Sequence, residues 1–221
     1  RDTDRSRGLG DVYKRQLQSF NSLKWNFERD RTVAVSVDSQ PIKMLRYTAK
    51  KYSVAVSFGY YELCGEAIYS SYMFIGKNGE IVNNFRRVSK GWKEYDITDE
   101  HYKEGDGFKT FTYMGKRIAL AVCGDLWYEE NIEQINKEKF DFLLYPVYVT
   151  YNTEMWRTKL VNEYAEQAKK IPRPVFLVNS ICDADNTRGG CYAFLNGKTV
   201  CEVPMGQDGY LPVSYTHLTL P

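Results

Sequence analysis

Residues 116–130 constrain the fold and the chemistry of this chain more than any other segment. Residues 118–122 form an apolar run of strand length, which predicts a buried strand in a parallel sheet. The apolar pattern stops at Cys123, and Gly124 and Asp125 follow it. In α/β proteins the carboxyl ends of parallel strands face the ligand crevice, and a glycine lets backbone N–H groups approach a substrate oxygen. We therefore predict that Cys123, alone among the cysteines, lies at the mouth of a pocket as a nucleophile.

An isolated strand cysteine is more often an inert core residue, so its neighbours matter. Residues 123–129, Cys-Gly-Asp-Leu-Trp-Tyr-Glu, resemble the nucleophile motif of the nitrilase, or carbon-nitrogen hydrolase, superfamily. Other segments match this family in the same order: Phe85-Arg86-Arg87 at the end of a hairpin, a Glu-Gly-Asp turn at residues 104–106, and Gly189-Gly190-Cys191 before another hairpin. The resemblance covers residues 17–211. It implies an α/β fold, a two-sheet α-β-β-α sandwich that pairs into a homo-oligomer.

The resemblance also implies a mechanism. A cysteine thiolate attacks an amide or nitrile carbon, and water hydrolyses the resulting thioester with the help of a general-base glutamate and a lysine that stabilises the oxyanion. A free thiol has a pKa of about 8.5, so it needs a nearby base or cation to become an effective nucleophile. Arg87 stands where the family has its lysine, and Lys90 is the alternative cation. We expect one of them within hydrogen-bonding reach of the site beside Cys123, with the Gly124 amide as the second oxyanion donor.

Further roles follow from the same resemblance. The family has an additional glutamate between its lysine and its cysteine, and Glu100 is the nearest candidate by spacing, with Glu94 second. Trp127, Tyr148 and Trp156 fall where the family places substrate-pocket residues, although aromatic residues there are as often part of the core.

Composition narrows the class of partner. The net charge of +2, from 30 basic and 28 acidic residues, creates no strong field, which disfavours nucleic acid and anionic membranes and favours a small-molecule amide or nitrile substrate. No apolar run approaches the ~20 residues of a membrane span. The five cysteines are widely spaced without a CxxC pair, which disfavours a disulfide framework and a zinc site and favours a cytoplasmic setting without metal or cofactor.

The two ends are expected to be foreign to the fold. Residues 1–16 and 212–221 resemble translated adapter read-through, which leaves residues 17–211 as an incomplete single domain. The family's first catalytic glutamate, in a Phe-Pro-Glu motif, would then be missing together with an N-terminal strand and helix. We therefore expect this chain to be nearly inactive, and a version with a restored start to hydrolyse small amides.

Local patterns predict alternating strands and helices. Pro41 after Ser39 opens a helix that ends at Lys51, and Asn78-Gly79 marks a two-residue hairpin loop. The remaining segments are assigned by period: strands at 53–59, 67–75, 81–88, 108–114, 118–122, 141–149 and 175–180; helices at 131–139 and 153–170; a turn at 60–66; loops at 89–106 and 179–190; and a hairpin of 191–194 with 200–203.

Three functions compete. The leading hypothesis is a thiol-dependent hydrolase of non-peptide carbon-nitrogen bonds, an amidase more than a nitrilase. The second is a catalytically impaired relative that acts as a binding or assembly module, which Arg87 at the lysine position favours. The third is a glutamine-hydrolysing subunit with a Cys-His couple, for which His101 is the available histidine near the site segments.

Overall fold

The computed structural model describes residues 25–182, 187–207 and 209–212. The expected arm at residues 1–16 lies outside this range, as does the expected tail beyond Pro212. The chain divides into two compact units, residues 1–107 and residues 108–221. Both units contain a β-sheet with helices, which confirms the α/β class. The domain bounds at residues 17 and 211 stay a prediction. Within the described ranges, no helix combines the length and apolar character needed to cross a bilayer.

The elements of the first unit are, in chain order, α1 (Phe27–Asp30), α2 (Gln40–Tyr52), β1 (Val56–Cys64), β2 (Ala67–Ile75), β3 (Ile81–Arg86) and β4 (Tyr102–Lys103). Those of the second unit are β5 (Phe111–Tyr113), β6 (Lys116–Leu120), a 3-10 helix (Cys123–Trp127), α3 (Glu129–Lys137), β7 (Phe142–Val147), α4 (Thr153–Met155), a π-helical turn (Trp156–Leu160), α5 (Val161–Ala168), β8 (Val175–Asn179), β9 (Ile181–Cys182), β10 (Thr187–Arg188), β11 (Cys191–Leu195) and β12 (Lys198–Val203).

The sheet of the first unit is built on the antiparallel order β1-β2-β3, and β4 pairs in parallel with β2. The predicted turn at residues 60–66 is wrong, because β1 continues to Cys64 and pairs with β2 over its whole length. The reason is burial on both faces. Tyr60 packs with the α2 residues Ile42 and Ala49, whereas Tyr61 packs in a second cluster with Trp25.

The hairpin between β2 and β3 turns where Asn78-Gly79 predicts, but its loop is longer than two residues. The pairing closes at Ile75 and Ile81, and the Gly76 N–H donates to the Glu80 carbonyl at 2.8 Å. Gly79 adopts a φ of 82°, and a Cβ there would lie 2.6 Å from the Arg46 carbonyl oxygen of α2. Close packing of α2 on the loop therefore requires a glycine at this position.

The second unit contains a mixed sheet with the order β12-β11-β8-β7-β6-β5. Strands β6, β7 and β8 are parallel; β5 pairs antiparallel with β6, β11 pairs antiparallel with β8, and β12 pairs antiparallel with β11. The predicted strand at 118–122 begins two residues earlier, because Lys116 and Arg117 pair with β5 across a tight turn. Backbone pairing still reaches Ala121, whose N–H donates to the Leu144 carbonyl at 3.1 Å. The parallel strands thus deliver the chain to Cys123 at their carboxyl end.

The long helix predicted at 153–170 is interrupted by the π-helical turn Trp156–Leu160. This turn buries both Trp156 and Leu160 in the core that covers the sheet. The predicted hairpin of β11 and β12 is confirmed, with Asn196 and Gly197 both at positive φ (51° and 77°) as a two-residue turn of this kind requires.

Candidate active site

Cys123 occupies a strained turn directly after the parallel strand β6. It is the first residue of the 3-10 helix Cys123–Trp127, and its φ is 48°, in the left-handed region. For a residue with a side chain this conformation costs about 1–2 kcal/mol, and it is found where a sharp strand-to-helix turn presents a nucleophile. The thiol is free and half-buried, whereas the Cys64 thiol is exposed. The backbone of this turn therefore sets Cys123 apart from a strand cysteine of the core.

Buried polar side chains hold the turn in this conformation. The Asp125 carboxylate is fully buried and accepts a hydrogen bond from the Val122 N–H at 2.8 Å. The Tyr145 hydroxyl of β7 donates to the Cys123 carbonyl oxygen at 2.6 Å. The side-chain amide of Asn131 donates to the Asp125 carbonyl at 3.0 Å, which ties the turn to α3. The turn is thus fixed from the neighbouring strand and from the following helix.

Removing the Asp125 carboxylate should destabilise the protein, because it leaves the Val122 N–H buried without its acceptor. We expect Asp125→Ala to lower the free energy of unfolding by about 1–3 kcal/mol. Asp141→Ala is the matched control, since the Asp141 carboxylate accepts the Arg117 N–H at 2.8 Å at an exposed position. Denaturant unfolding of both variants measures the difference. Equal losses would contradict a special role for the buried carboxylate.

Aromatic side chains border the turn. The Trp127 ring is 44% exposed and meets the edge of Tyr164 from α5, with ring centroids 5.2 Å apart. Burial raises the pKa of Tyr164 well above its usual range, and the nearby Cys123 sulfur contributes to the same shift. Tyr164 therefore stays protonated at neutral pH. The Gln167 amide donates to the Leu126 carbonyl, which anchors the 3-10 helix to α5.

The other aromatic residues predicted for the substrate pocket occupy different environments. Tyr148 is half-buried just beyond β7, and Trp156 is buried in the core. A polar cavity of about 530 Å³ lies between the π-helical turn and the end of β12, and Trp156 lines it whereas Cys123 does not. The placement of Cys123 at a pocket mouth therefore stays a prediction.

In the first unit, the two arginines at the end of β3 have different surroundings. The Arg86 guanidinium binds the buried Glu62 carboxylate through two hydrogen bonds, of 3.0 and 2.8 Å. Arg87 is only 8% exposed, and its Nε donates to the Ser89 hydroxyl at 2.7 Å. Among the described residues Arg87 has no carboxylate partner. Because a buried charge is costly unless it is paired, Arg87 is a candidate for a functional role.

The Glu-Gly-Asp turn lies directly against Arg87. The Gly105 N–H donates to the Arg87 carbonyl at 2.8 Å, and a Cβ on Gly105 would lie 2.3 Å from the Arg86 carbonyl oxygen. Glu104 is half-buried and pairs with the nearly buried Lys93 at 3.0 Å. The structure thus brings the strand-end arginine and Glu104 into one neighbourhood within the first unit.

The other candidates in this loop are on the surface. Glu94, Glu100 and Lys90 are exposed, and the Lys90 ammonium lies 5.6 Å from the centre of the Tyr95 ring. Lys93 was not among the residues predicted for the site, and Glu104 was predicted only as part of the Glu-Gly-Asp turn. The sequence signal that could have singled out Glu104 is its position directly before Gly105. Gly105 packs against the backbone at the end of β3, where a Cβ would not fit.

Some expectations stay untested. Arg87 belongs to the first unit and Cys123 to the second, so an approach of the guanidinium to the thiol stays a prediction. In the part of the chain that the structure describes, no three or more His, Cys, Asp or Glu side chains are arranged to hold a metal ion. The absence of a metal or cofactor in the working protein stays a prediction. Burial raises the pKa of the Cys191 thiol, which favours its protonated form.

A family model described as carbon-nitrogen hydrolase matches residues 17–220. The chain belongs to the carbon-nitrogen hydrolase family. One curated relative is a citrullinase from Francisella tularensis, which is 26% identical over 120 residues, or 52% of this chain and 41% of the relative. Another is a bromoxynil-specific nitrilase from Klebsiella pneumoniae, which is 30% identical over 107 residues, or 48% of this chain and 29% of the relative. The matched segments of this chain span less than half the length of either relative.

Solved structures share the fold of this chain. A carbon-nitrogen hydrolase from Helicobacter pylori superposes with a TM-score of 0.61 at 15% identity, covering 76% of this chain and 64% of that chain. A variant of the amidase from Nesterenkonia sp. AN1 superposes with a TM-score of 0.60 at 15% identity, covering 74% and 62%. In that amidase the acetamide moiety of fluoroacetamide is covalently attached to the active-site cysteine. At these identities the likeness shows a shared fold.

Proposed function

We propose that this carbon-nitrogen hydrolase is a thiol-dependent amidase that works through a thioester on Cys123. The observation that carries the proposal is the left-handed turn at Cys123, placed directly after a parallel strand and followed by Gly124. A core cysteine needs no such conformation, and strained backbone of this kind clusters at active sites. Membership of the family supports the same chemistry.

The proposed reaction has two steps. The Cys123 sulfur attacks the amide carbon, the oxygen takes the negative charge, and the C–N bond breaks as the nitrogen leaves as ammonia with the thiol proton, which a general acid–base group passes to it. Water then adds to the thioester, the S–C bond breaks, and the carboxylic acid and the thiol are released. In both steps the oxyanion needs donors that are in place beforehand.

Arg87 is the cation that we assign to the oxyanion, with the Gly124 N–H as the second donor. Three observations support this assignment. Arg87 is buried, it has no carboxylate partner among the described residues, and it lies at the end of β3. Lys90 is the weaker candidate because it is exposed. Arginine keeps its charge at every working pH, so it can act as an electrostatic donor but does not transfer a proton.

Glu104 is the loop glutamate that we assign to the site in preference to Glu100. It is half-buried, it pairs with Lys93, and its neighbour Gly105 is hydrogen-bonded to Arg87. Glu100 is exposed to solvent. A carboxylate held beside a cation in a partly buried loop can serve as an orienting group or a proton carrier. Trp127 and Tyr148 are proposed to contact the substrate.

Two alternatives are weighed against this proposal. A Cys-His couple would need His101, but its ring stacks on Phe27 at 3.9 Å and its Nδ1 pairs with Asp99 at 2.9 Å, so the imidazole is already engaged. A binding or assembly module without catalysis is favoured only by Arg87 at the lysine position. Association as a homo-oligomer and a cytoplasmic setting stay predictions.

The experiment that tests the proposed function is release of ammonia from short aliphatic amides, compared with the corresponding nitriles, by a version of the chain that carries the restored start. We expect release from amides to exceed release from nitriles and to disappear in Cys123→Ala, because no other group forms the thioester. Cys201→Ala is the matched control, since this half-buried thiol lies in the outer strand β12. Amide hydrolysis that survives in Cys123→Ala would exclude the proposal.

A further inference from the structure

The peptide that links Cys123 to Gly124 is held by a side chain from the neighbouring strand. Tyr145 lies in β7, which pairs in parallel with β6, and it is 1% exposed. Its hydroxyl donates to the Cys123 carbonyl oxygen at 2.6 Å. The Tyr145 ring lies in the core beside Tyr164, with ring centroids 6.2 Å apart. A phenylalanine would fill the same apolar space, so the hydroxyl has a purpose other than packing.

The consequence of this hydrogen bond follows from peptide geometry. The described backbone contains no cis peptide bond, and in a trans peptide the C=O and N–H groups point in opposite directions. Fixing the Cys123 carbonyl therefore also fixes the direction of the Gly124 N–H. Rotation of this peptide plane, which changes ψ of Cys123 and φ of Gly124, would turn the Gly124 N–H to another direction.

We propose that Tyr145 is a positioning residue that holds the Gly124 N–H in the orientation needed to stabilise the oxyanion at Cys123. The inference rests on the proposed function, since it assigns a task to the amide beside the proposed nucleophile. Tyr145 does not touch the substrate. It acts through the peptide plane, so its loss should weaken reactions that create an oxyanion and leave other reactions of the thiol unchanged.

Two reagents distinguish stabilisation of the oxyanion from the general reactivity of the Cys123 thiol. With p-nitrophenyl acetate, the Cys123 sulfur forms a bond to the carbonyl carbon, the ester C–O bond breaks, p-nitrophenolate leaves, and the thiol proton goes to water. This acylation passes through an oxyanion. With iodoacetamide, the sulfur forms a bond to the CH₂ carbon, the C–I bond breaks, iodide leaves and the thiol proton goes to water, so no oxyanion develops. The ratio of the two rates at Cys123, measured by mass mapping of its peptide, reports the oxyanion donors.

We expect Tyr145→Phe in the full chain to slow acylation of Cys123 on the order of tenfold and to leave its alkylation rate unchanged. Tyr192→Phe is the matched control. Tyr192 is also buried in this core, at 2% exposure, and its hydroxyl accepts the Met205 N–H at 2.8 Å, away from the nucleophile turn. That variant should change neither rate. Far-UV circular dichroism of both variants checks that they remain folded.

The outcomes distinguish the inference from the proposed function. If Cys123 is acylated in the wild type and at the same rate in Tyr145→Phe, the inference about Tyr145 is wrong while the proposed function stands. A parallel fall of acylation and alkylation would also overturn it, because it would show a structural role only. If wild-type Cys123 is acylated no faster than the exposed Cys64, the proposed function fails and the inference fails with it.

Discussion

Replacing Arg87 by methionine should slow the acylation of Cys123 on the order of 10²–10³-fold, which is the typical cost of removing one oxyanion donor. The reason is that we propose Arg87, a buried guanidinium without a carboxylate partner in the described part of the chain, as the cation for the oxyanion. Methionine fits an apolar environment, so the fold should survive. Release of p-nitrophenolate from p-nitrophenyl acetate measures the rate.

Two further variants make this prediction specific. Arg87→Lys keeps the positive charge and should retain most of the activity. Lys90→Met should change little, because the Lys90 ammonium is exposed and lies near the Tyr95 ring. The opposite pattern, with a large loss in Lys90→Met and none in Arg87→Met, would move the oxyanion role to Lys90.

Replacing Arg86 by methionine should instead destabilise the protein, by about 3 kcal/mol. The Glu62 side chain is 3% exposed, and its carboxylate receives hydrogen bonds from Arg86 and from the Ser71 hydroxyl. Without Arg86 a buried carboxylate loses its counter-ion. We place the loss at the lower end of the usual range because the Arg86 side chain is 30% exposed. Denaturant unfolding at neutral pH measures it.

The same pair predicts a pH dependence. Burial by itself would raise the pKa of Glu62, but the hydrogen bonds from Arg86 and Ser71 outweigh it and lower that pKa below its usual value. A carboxylate with a lowered pKa stabilises the folded state above its unfolded pKa, and this contribution disappears as the pH falls through the folded pKa. The difference in stability between the wild type and Arg86→Met should therefore be full at neutral pH and shrink in acid.

A double variant is the control for this pair. Glu62→Leu combined with Arg86→Met removes both charges, and it should recover most of the stability lost in Arg86→Met because no buried charge is left unpaired. A double variant that is less stable than Arg86→Met would show that the pair itself, and not the orphaned carboxylate, dominates the energy.

Local patterns predicted those elements whose signals lie within a few residues. Ser39 and Pro41 mark the start of α2, Asn196-Gly197 supplies the φ angles of its hairpin, and the apolar run before Cys123 identifies β6. In each case the determining interactions are between neighbours in sequence. Cys123 was predicted as the nucleophile from a signal of the same kind, because the apolar pattern ends abruptly there, and this role stays a prediction.

Long-range contacts determined what the sequence could not reveal. Glu62 interrupts the apolar pattern of β1, and it is tolerated inside the sheet because Arg86, 24 residues later, neutralises it. The hydrogen bond of Tyr145 to Cys123 and the pairing of Lys93 with Glu104 join segments that are separate in sequence. Spacing alone therefore favoured Glu100, whereas burial favours Glu104.

Site-resolved acylation is the direct test of whether Cys123 forms an acyl-enzyme. The full chain is treated briefly with p-nitrophenyl acetate, quenched in acid and digested, and the acyl group is located by mass spectrometry. The account predicts rapid acylation of Cys123 in preference to Cys64, Cys191 and Cys201, and slower acylation in Arg87→Met. Acylation of the exposed Cys64 ahead of Cys123 would contradict it, because exposure alone would then explain the reactivity.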